Sequence, residues 1–245
     1  MATGGKSVGW YVRTAAVNAR DLARSLRDDV NSFRFELLGP REFRNVWQAV
    51  DSIGGFSRER ADTVVLYALA KTAASRGCVV EVGSFLGRST AVLAQAVRSG
   101  GGGKVVAIDP HRGGSGDVGS EDSEAEATTL PLLRHNLRRL GVDDLVTVVC
   151  ADATAAARDW CHGRVSLLFV DGLHTYEGVL ADFAALEPHL ADAAVVVFDD
   201  YRRDEYPGVV RAVDELERAE RLPPPGRTVN RYRVFGVESW RGLAA

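Results

Sequence analysis

The sequence predicts an α/β fold in which helices cover both faces of a mostly parallel, doubly wound sheet. Three observations support this prediction. From Cys78 onward, short apolar runs alternate with helix-length amphipathic stretches, as in strands joined by crossover helices. The runs are apolar at nearly every position, which is typical of strands buried on both faces. Residues 1–75 contain no such run and instead carry apolar residues at helical spacing.

Five apolar runs are the predicted parallel strands. Each ends in a glycine or an acid, and in order they read CVVEVG, KVVAID, LVTVVCAD, VSLLFVDG and AAVVVFDD. Amphipathic stretches at 89–98 and 130–140 are two of the connecting helices. The final run, residues 232–237, follows a proline cluster and alternates in the manner of a strand. We therefore predict an edge strand there.

Two further regions have a different character. Residues 1–75 are a predicted N-terminal helical extension, because apolar residues recur at helical spacing over 17–35, 41–53 and 58–74. Residues 113–128 are rich in glycine, serine and acids and too polar to pack. A solvated insertion or a mobile lid is the prediction there, with an idle surface loop as the alternative.

Composition narrows the expected partners. The net charge of −3 and the pI near 6.0 give no basic field for phosphate backbones, so nucleic acid is not an expected partner. No run approaches the ~20 apolar residues of a membrane-spanning helix, and the N-terminus lacks the apolar core of a signal peptide. The three cysteines suggest neither disulfides nor a zinc site. A cytoplasmic protein acting on a small molecule fits these observations.

A glycine-rich turn, EVGSFLGRST at residues 81–90, follows the first strand. Gly83 and Gly87 stand where the backbone must turn sharply and leave room for a ligand. Ser89 or Thr90 is expected to cap the helix that follows. The turn alone is ambiguous, because inert strand-to-helix connections use similar turns and the spacing G-x-G-x-x-G is incomplete.

Acids at the ends of the next two strands are candidate ligand-binding residues beside the turn. Asp109 ends the second strand, where a carboxylate can accept hydrogen bonds from both hydroxyls of a ribose. Asp152 follows the third strand and can accept from the exocyclic amine of an adenine. Together with the turn they predict a nucleoside pocket. The alternative for Asp109 is a strand-end acid that only caps a turn or helix.

Three more carboxylates follow the fourth and fifth strands. Asp171 ends VSLLFVDG, and Asp199 and Asp200 end AAVVVFDD, so neighbouring strands should bring all three to one edge of the sheet. Acids this close repel one another unless a cation lies between them. Oxygen ligands suit Mg²⁺ or another hard divalent cation. The sequence therefore predicts a magnesium site, and the alternative for Asp199 and Asp200 is a solvated turn.

His174 lies three residues after Asp171, on the turn before a predicted helix. Its near-neutral pKa suits a general base. The alternative is a histidine that caps the helix or orients Asp171.

With these motifs, the chain resembles the class I S-adenosylmethionine-dependent methyltransferases, and among them the small sugar and antibiotic O-methyltransferases of the macrocin O-methyltransferase type. The resemblance covers about residues 78–200 and is carried by EVGSFLGRST, VVAIDPH, FVDGLHTYEGVLAD and VVVFDDY. It implies a Rossmann-like sheet of seven strands with the last strand antiparallel. It also implies S-adenosylmethionine on the glycine turn and, often, a divalent metal beside the acceptor hydroxyl.

Carried over to this sequence, the resemblance implies a cofactor-binding set made of the turn and three strand-end acids: Glu81, Gly83, Ser84, Gly87, Ser89, Asp109, Asp152 and Asp171. The turn residues would line the methionine portion, Asp109 the ribose and Asp152 the adenine. In some metal-dependent relatives, a carboxylate two positions after the first metal-binding acid is the base. This sequence has Leu173 at that position, so the role of the base would fall to His174 with Asp171, or deprotonation would be left to the metal.

Three functions remain open at this stage. The first is an O-methyltransferase that methylates a hydroxyl of a small acceptor, a sugar or natural-product intermediate, with help from Mg²⁺. Residues 76–245 would be its catalytic domain, and residues 1–75 would build the acceptor pocket or homo-oligomer contacts. The second is an NAD-dependent dehydrogenase, against which the missing third glycine and the lack of a Tyr-x-x-x-Lys motif count. The third is a non-catalytic nucleoside-binding protein, which has no need of acids at the reacting edge.

Overall fold

A computed structural model of the chain describes residues 42–54, 60–112, 129–202 and 204–238. Its seven strands are β1 (Cys78–Val82), β2 (Val105–Ile108), β3 (Val146–Val149), β4 (Val165–Val170), β5 (Leu190–Phe198), β6 (Arg227–Val229) and β7 (Tyr232–Phe235). The α-helices of these ranges are α1 (Phe43–Val50), α2 (Arg60–Ala73), α3 (Arg88–Ser99), α4 (Leu130–Arg139), α5 (Ala153–Arg158), α6 (Tyr176–Leu186) and α7 (Pro207–Arg218). None of these helices is long and apolar enough to cross a bilayer.

All seven strands belong to one sheet in the order β3-β2-β1-β4-β5-β7-β6. Strands β1 to β5 are mutually parallel, whereas β7 runs antiparallel to both β5 and β6. The predicted Rossmann-like, mostly parallel sheet with an antiparallel last strand is therefore confirmed. The strand order reverses between β1 and β4, which is where ligands bind in open α/β sheets.

The prediction of an edge strand at 232–237 was wrong. Strand β7 lies between β5 and β6, and β6 takes the outer position. Only three residues form β6, and its first residue, Arg227, is exposed, so no apolar run marked it in the sequence. A tight turn at Asn230, whose φ is 54°, joins the two strands and returns the chain beside β5.

Two apolar layers cover the two faces of the sheet. Alternate residues of β4 illustrate the division, because Leu167 and Phe169 pack with α1 to α4 on one face, while Leu168 and Val170 pack with α6 and α7 on the other. Every residue of β1, β2 and β4 is buried. This burial explains why their sequences are apolar without alternation.

The first described helices are packed into this core. Ten of the fourteen residues of α2 are buried, and its apolar side chains share the layer of α3 and the sheet. Arg88, at the start of α3, fixes the end of α1, since its Nη1 donates to the carbonyl oxygens of Val50 and Ile53, both at 3.1 Å. The helix predicted at 17–35 and the insertion at 113–128 lie outside the described residues. The domain boundary near residue 75 stays a prediction.

Candidate active site

A cavity of about 570 Å³ opens at the carboxyl edge of the parallel strands, within the size range of ordinary small-molecule sites. The predicted site residues among its lining are Gly83, Ser84, Ser89, Asp109, Asp152, Asp171, His174, Asp199 and Asp200. Glu81 and Gly87 do not line it. The structure thus brings residues of the glycine-rich turn to the same cavity as Asp171, Asp199 and Asp200, which we call the acid edge. This is the arrangement expected when parallel strands end at one edge of a sheet.

The glycine turn is shaped by a close approach of two strands. Gly83 has a φ of +93°, and a Cβ placed on it would lie 2.0 Å from the carbonyl oxygen of Asp171. Only glycine fits this backbone and this gap. Gly87, with a φ of +85°, immediately precedes α3. The turn therefore sits directly against the end of β4.

The predicted cap of α3 was wrong. The helix begins at Arg88, no side chain caps it, and Ser89 and Thr90 already lie inside its first turn. The Thr90 hydroxyl instead donates to Glu81 Oε2 at 2.5 Å.

Glu81 lies behind the turn and is fully buried. Burial is the main cause that raises its pKa to about 7, and hydrogen bonds from Ser89 and Thr90 act in the opposite direction. Its Oε1 has no partner among the described residues. In this arrangement Glu81 supports the first turn of α3 from below instead of lining the cavity.

Asp109 holds two loops with its two oxygens. Its Oδ2 accepts from the Phe85 backbone N–H and its Oδ1 from the His111 backbone N–H, both at 2.7 Å. Phe85 and His111 have φ values of 43° and 53°, so the carboxylate stabilises two left-handed residues at once. Each carboxylate oxygen accepts more than one hydrogen bond, which leaves capacity for a ribose.

Asp152 caps α5, since its Oδ1 accepts from the Ala155 backbone N–H at 2.7 Å. A second acid, Asp182 of α6, lines the same cavity. Burial, and then the charge of Asp152, raises the pKa of Asp182 to about 7. The sequence alone gives no signal that Asp182 faces the cavity, because a single acid at helical spacing is usually solvated.

His174 bridges two of the edge acids. Its Nε2 lies 3.4 Å from Asp171 Oδ1 and 3.2 Å from Asp200 Oδ2. The Tyr206 ring stacks on the imidazole with 4.5 Å between ring centroids. Burial and the charge of Asp199 raise the pKa of Asp171 well above its usual range, while His174 and Arg231 lower it. The imidazole thus lies within ion-pair distance of two carboxyl groups at the cavity wall.

Arg231 lines the cavity but was not identified from the sequence. It lies on the turn between β6 and β7, and its guanidinium makes a two-pronged pair with Asp199, with Nε 2.5 Å from Oδ1 and Nη2 on Oδ2. The same Nε lies 3.4 Å from Asp200 Oδ1 and 3.8 Å from Asp62 Oδ2 of α2. No spacing rule connects this turn with β5 or α2, so only the fold reveals the cluster.

The three predicted metal ligands are close together but are not arranged around a common point. Within the described ranges, no three His, Cys, Asp or Glu side chains form a group that could hold a metal ion. Both oxygens of Asp199 face Arg231, and Asp171 and Asp200 face His174. The acids that were predicted to need a cation have two basic side chains between them.

Sequence comparison agrees with this geometry. A sequence family described as a methyltransferase domain matches residues 80–201, which span β1 to the end of β5 and contain the strand-end acids. The chain therefore contains a methyltransferase domain. The dehydrogenase alternative shares the sheet, but the family match is to the methyltransferases.

Solved structures similar to this methyltransferase share its fold. Cofactor-bound Rv0187 from MTB is 21% identical, with a TM-score of 0.57 over 78% of this chain and 87% of that one. The O-methyltransferase NovP is 18% identical, with a TM-score of 0.60 over 71% and 78%. TomG from Streptomyces achromogenes, in complex with SAM, is 17% identical, with a TM-score of 0.53 over 86% and 96%.

Proposed function

We propose that this methyltransferase transfers the methyl group of S-adenosylmethionine to a hydroxyl oxygen of a small acceptor, a sugar or a natural-product intermediate. The observation that carries the proposal is the position of His174 between two carboxylates on the wall of the cofactor cavity. The similarity to TomG, which was solved with SAM, and to the O-methyltransferase NovP supports both the donor and the acceptor atom.

The residues around the turn fit a nucleoside cofactor. Gly83 lets the turn lie directly against the Asp171 backbone, and Asp109 and Asp152 supply hydrogen-bond acceptors in the lining of the cavity beside the turn. When bound, S-adenosylmethionine supplies a methyl group on a positively charged sulfur. Ser84 and Ser89 would contact its methionine portion, Asp109 its ribose and Asp152 its adenine.

His174 and Asp171 act together as the base in this proposal. The carboxylates beside Nε2 hold a proton on that nitrogen, which leaves Nδ1 to accept the proton of the acceptor hydroxyl. Asp171 and Asp200 then stabilise the positive imidazolium. Stacking on Tyr206 fixes the plane of the ring. A positioned base of this kind contributes about 10²- to 10⁴-fold to the rate.

The sequence also predicts Mg²⁺, but the residues present do not fit the ion. Arg231 engages both oxygens of Asp199, and a divalent ion there would lose that ligand and face a fixed positive charge. We therefore derive no step through a metal. Positioning of the acceptor against the donor supplies the remainder of the catalysis.

The cavity lining includes both apolar and hydroxyl-bearing side chains, which suits an amphipathic acceptor. Leu66 and Tyr232 provide apolar contact, while Thr63 and Tyr206 provide hydroxyls. A hydroxylated ring with one apolar face is the class of molecule that such a mixed wall binds. Thr63 and Leu66 belong to α2, so this helix contributes to the cavity lining.

Calorimetry with S-adenosylmethionine, S-adenosylhomocysteine and NAD tests the cofactor, and we expect the first two to bind. A mass-spectrometric screen of sugars and hydroxylated aglycones then seeks a gain of one methyl group. A His174→Asn variant should lower kcat by about 10²-fold or more, whereas His135→Asn, on the exposed face of α4, should not change it. Binding of NAD alone, or full activity of His174→Asn, would contradict the proposal.

A further inference from the structure

Four carboxylates and one guanidinium meet beneath the acid edge. Asp62, Asp199 and Asp200 are all buried, as is Arg231, and the carboxyl group of Asp171 lies close enough to Asp199 to feel its charge. Buried carboxylates without a compensating charge are strongly unfavourable. The positive charge of Arg231 is therefore the main fixed cation of this part of the site, since arginine stays protonated in proteins.

The fold holds Arg231 at both its backbone and its side chain. Its carbonyl oxygen accepts from the Tyr201 backbone N–H at 2.9 Å, so the β6–β7 turn is attached to the residue that follows the two acids. The charges of Asp199 and Asp200 raise the pKa of Arg231 in spite of its burial. Arg231 is thus a permanent part of the fold and not a surface side chain that happens to reach the acids.

A chain of contacts leads from Arg231 to the base. Asp199 Oδ1, which accepts from Arg231, also accepts from the Asp200 backbone N–H at 2.7 Å. That bond fixes Asp200 in a left-handed conformation with a φ of 53°. In this conformation Asp200 Oδ2 lies 3.2 Å from His174 Nε2. Displacement of Arg231 would therefore release Asp199, then the Asp200 backbone, and finally the orientation of His174.

We propose that Arg231 stands in this enzyme in the place of a divalent cation, as a positioning residue that neutralises the acid edge and fixes His174 through Asp199 and Asp200. The inference rests on the proposed function only in giving His174 the role of base. It gives the strand-end acids a role although they form no metal-ligand group in the described residues. The enzyme is then independent of added metal, and loss of the guanidinium creates the cation requirement.

Binding of Mn²⁺ tests the inference without any acceptor. The full chain is treated with EDTA, dialysed and titrated with Mn²⁺ by calorimetry, in parallel with Arg231→Ala and Arg233→Ala. Arg233 lies two residues further along, is also buried, and pairs with Glu217 at 2.6 Å outside the cavity, so it is a matched control. We expect Mn²⁺ to bind Arg231→Ala at least about tenfold more tightly than the unchanged chain or Arg233→Ala.

Kinetics give a second readout. EDTA should leave the unchanged enzyme active, Arg231→Ala should lose on the order of 10²-fold in kcat, and Mn²⁺ should restore part of that loss. Arg231→Lys, which keeps the charge but not the two-pronged pair, should retain more activity than Arg231→Ala and show an altered pH–rate profile. A purely structural arginine would give no rescue by Mn²⁺.

Two results would overturn the inference. One is tight Mn²⁺ binding and EDTA-sensitive turnover in the unchanged chain, a measurement that needs no variant and so does not depend on whether Arg231→Ala folds. The other is a folded Arg231→Ala that binds Mn²⁺ no better than Arg233→Ala. If no acceptor is ever methylated, the proposed function fails, yet the titrations still decide the role of Arg231.

Discussion

Replacement of Glu81 by glutamine should change how stability depends on pH. Glu81 is fully buried, and its pKa rises from 4.5 to about 7 in the folded chain. The folded state keeps a proton that the unfolded chain releases, so stability is fully present below pH 4.5 and is lost as the pH rises to about 7. At about 1.4 kcal/mol per pH unit, this carboxyl lowers the free energy of unfolding by about 3 kcal/mol at pH 8.

Glutamine keeps the shape of the side chain and an oxygen that accepts from Thr90, but it does not ionise. Urea unfolding at several pH values between 5 and 8.5 gives the free energy of unfolding of both proteins. We expect Glu81→Gln to gain about 2.5 kcal/mol relative to the unchanged chain between pH 5 and pH 8, because part of the loss already occurs below pH 5. Any fixed cost of the buried amide cancels in this comparison, because it does not vary with pH.

Glu220→Gln, at an exposed position after α7, is the control and should give a curve parallel to that of the unchanged chain. Parallel curves for Glu81→Gln as well would show that Glu81 is ionised in the folded protein across this range. The argument from burial would then be refuted.

Two further predictions concern the same edge of the sheet. Gly83→Ala should lower the free energy of unfolding by about 3 kcal/mol or more, because its Cβ would meet the Asp171 carbonyl oxygen. Gly101→Ala is the control, since Gly101 has a similar φ but open space around it. Equal decreases in melting temperature for the two variants would contradict the predicted clash. His111 is buried with a lowered pKa, so stability should fall as the pH drops through its ordinary value of 6.5. His111→Asn, which tolerates the φ of 53°, should remove that fall in urea unfolding at pH 5, and an unchanged pH dependence would refute it.

Sequence patterns predicted the strands that are buried on both faces. Strands β1, β2 and β4 have only buried residues, so burial alone dictates their apolar runs. Strand β6 gave no such signal, since three residues at the edge of a sheet bury too little to constrain their sequence. The position of β7 depends on pairing with β5 and β6, and pairing between distant segments leaves no local pattern.

The residues of the site also fall into those that sequence patterns predicted and those that they did not. Asp171, Asp199 and Asp200 were predictable because parallel strands place their carboxyl ends at one edge. Arg231 and Asp62 were not, because they reach that edge from a hairpin turn and from α2. The three acids in the sequence predicted a nearby cation. In the structure that positive charge is the guanidinium of Arg231, on the β6–β7 turn, which no sequence pattern connects with the acids.

The close approach of Gly83 to Asp171 joins the two halves of the site mechanically. The turn that would carry the methyl donor contacts the backbone of the residue that supports the base, and the Asp171 backbone N–H donates to the Val82 carbonyl oxygen at 2.9 Å. A shift of the turn therefore moves the acid edge with it. Transfer of a methyl group requires the acceptor oxygen, the donor and the base to be aligned together. Glycine at position 83 lets β1 end directly against the end of β4 and so holds the turn and the acids in a fixed relation. A sequence motif for cofactor binding does not by itself predict this contact.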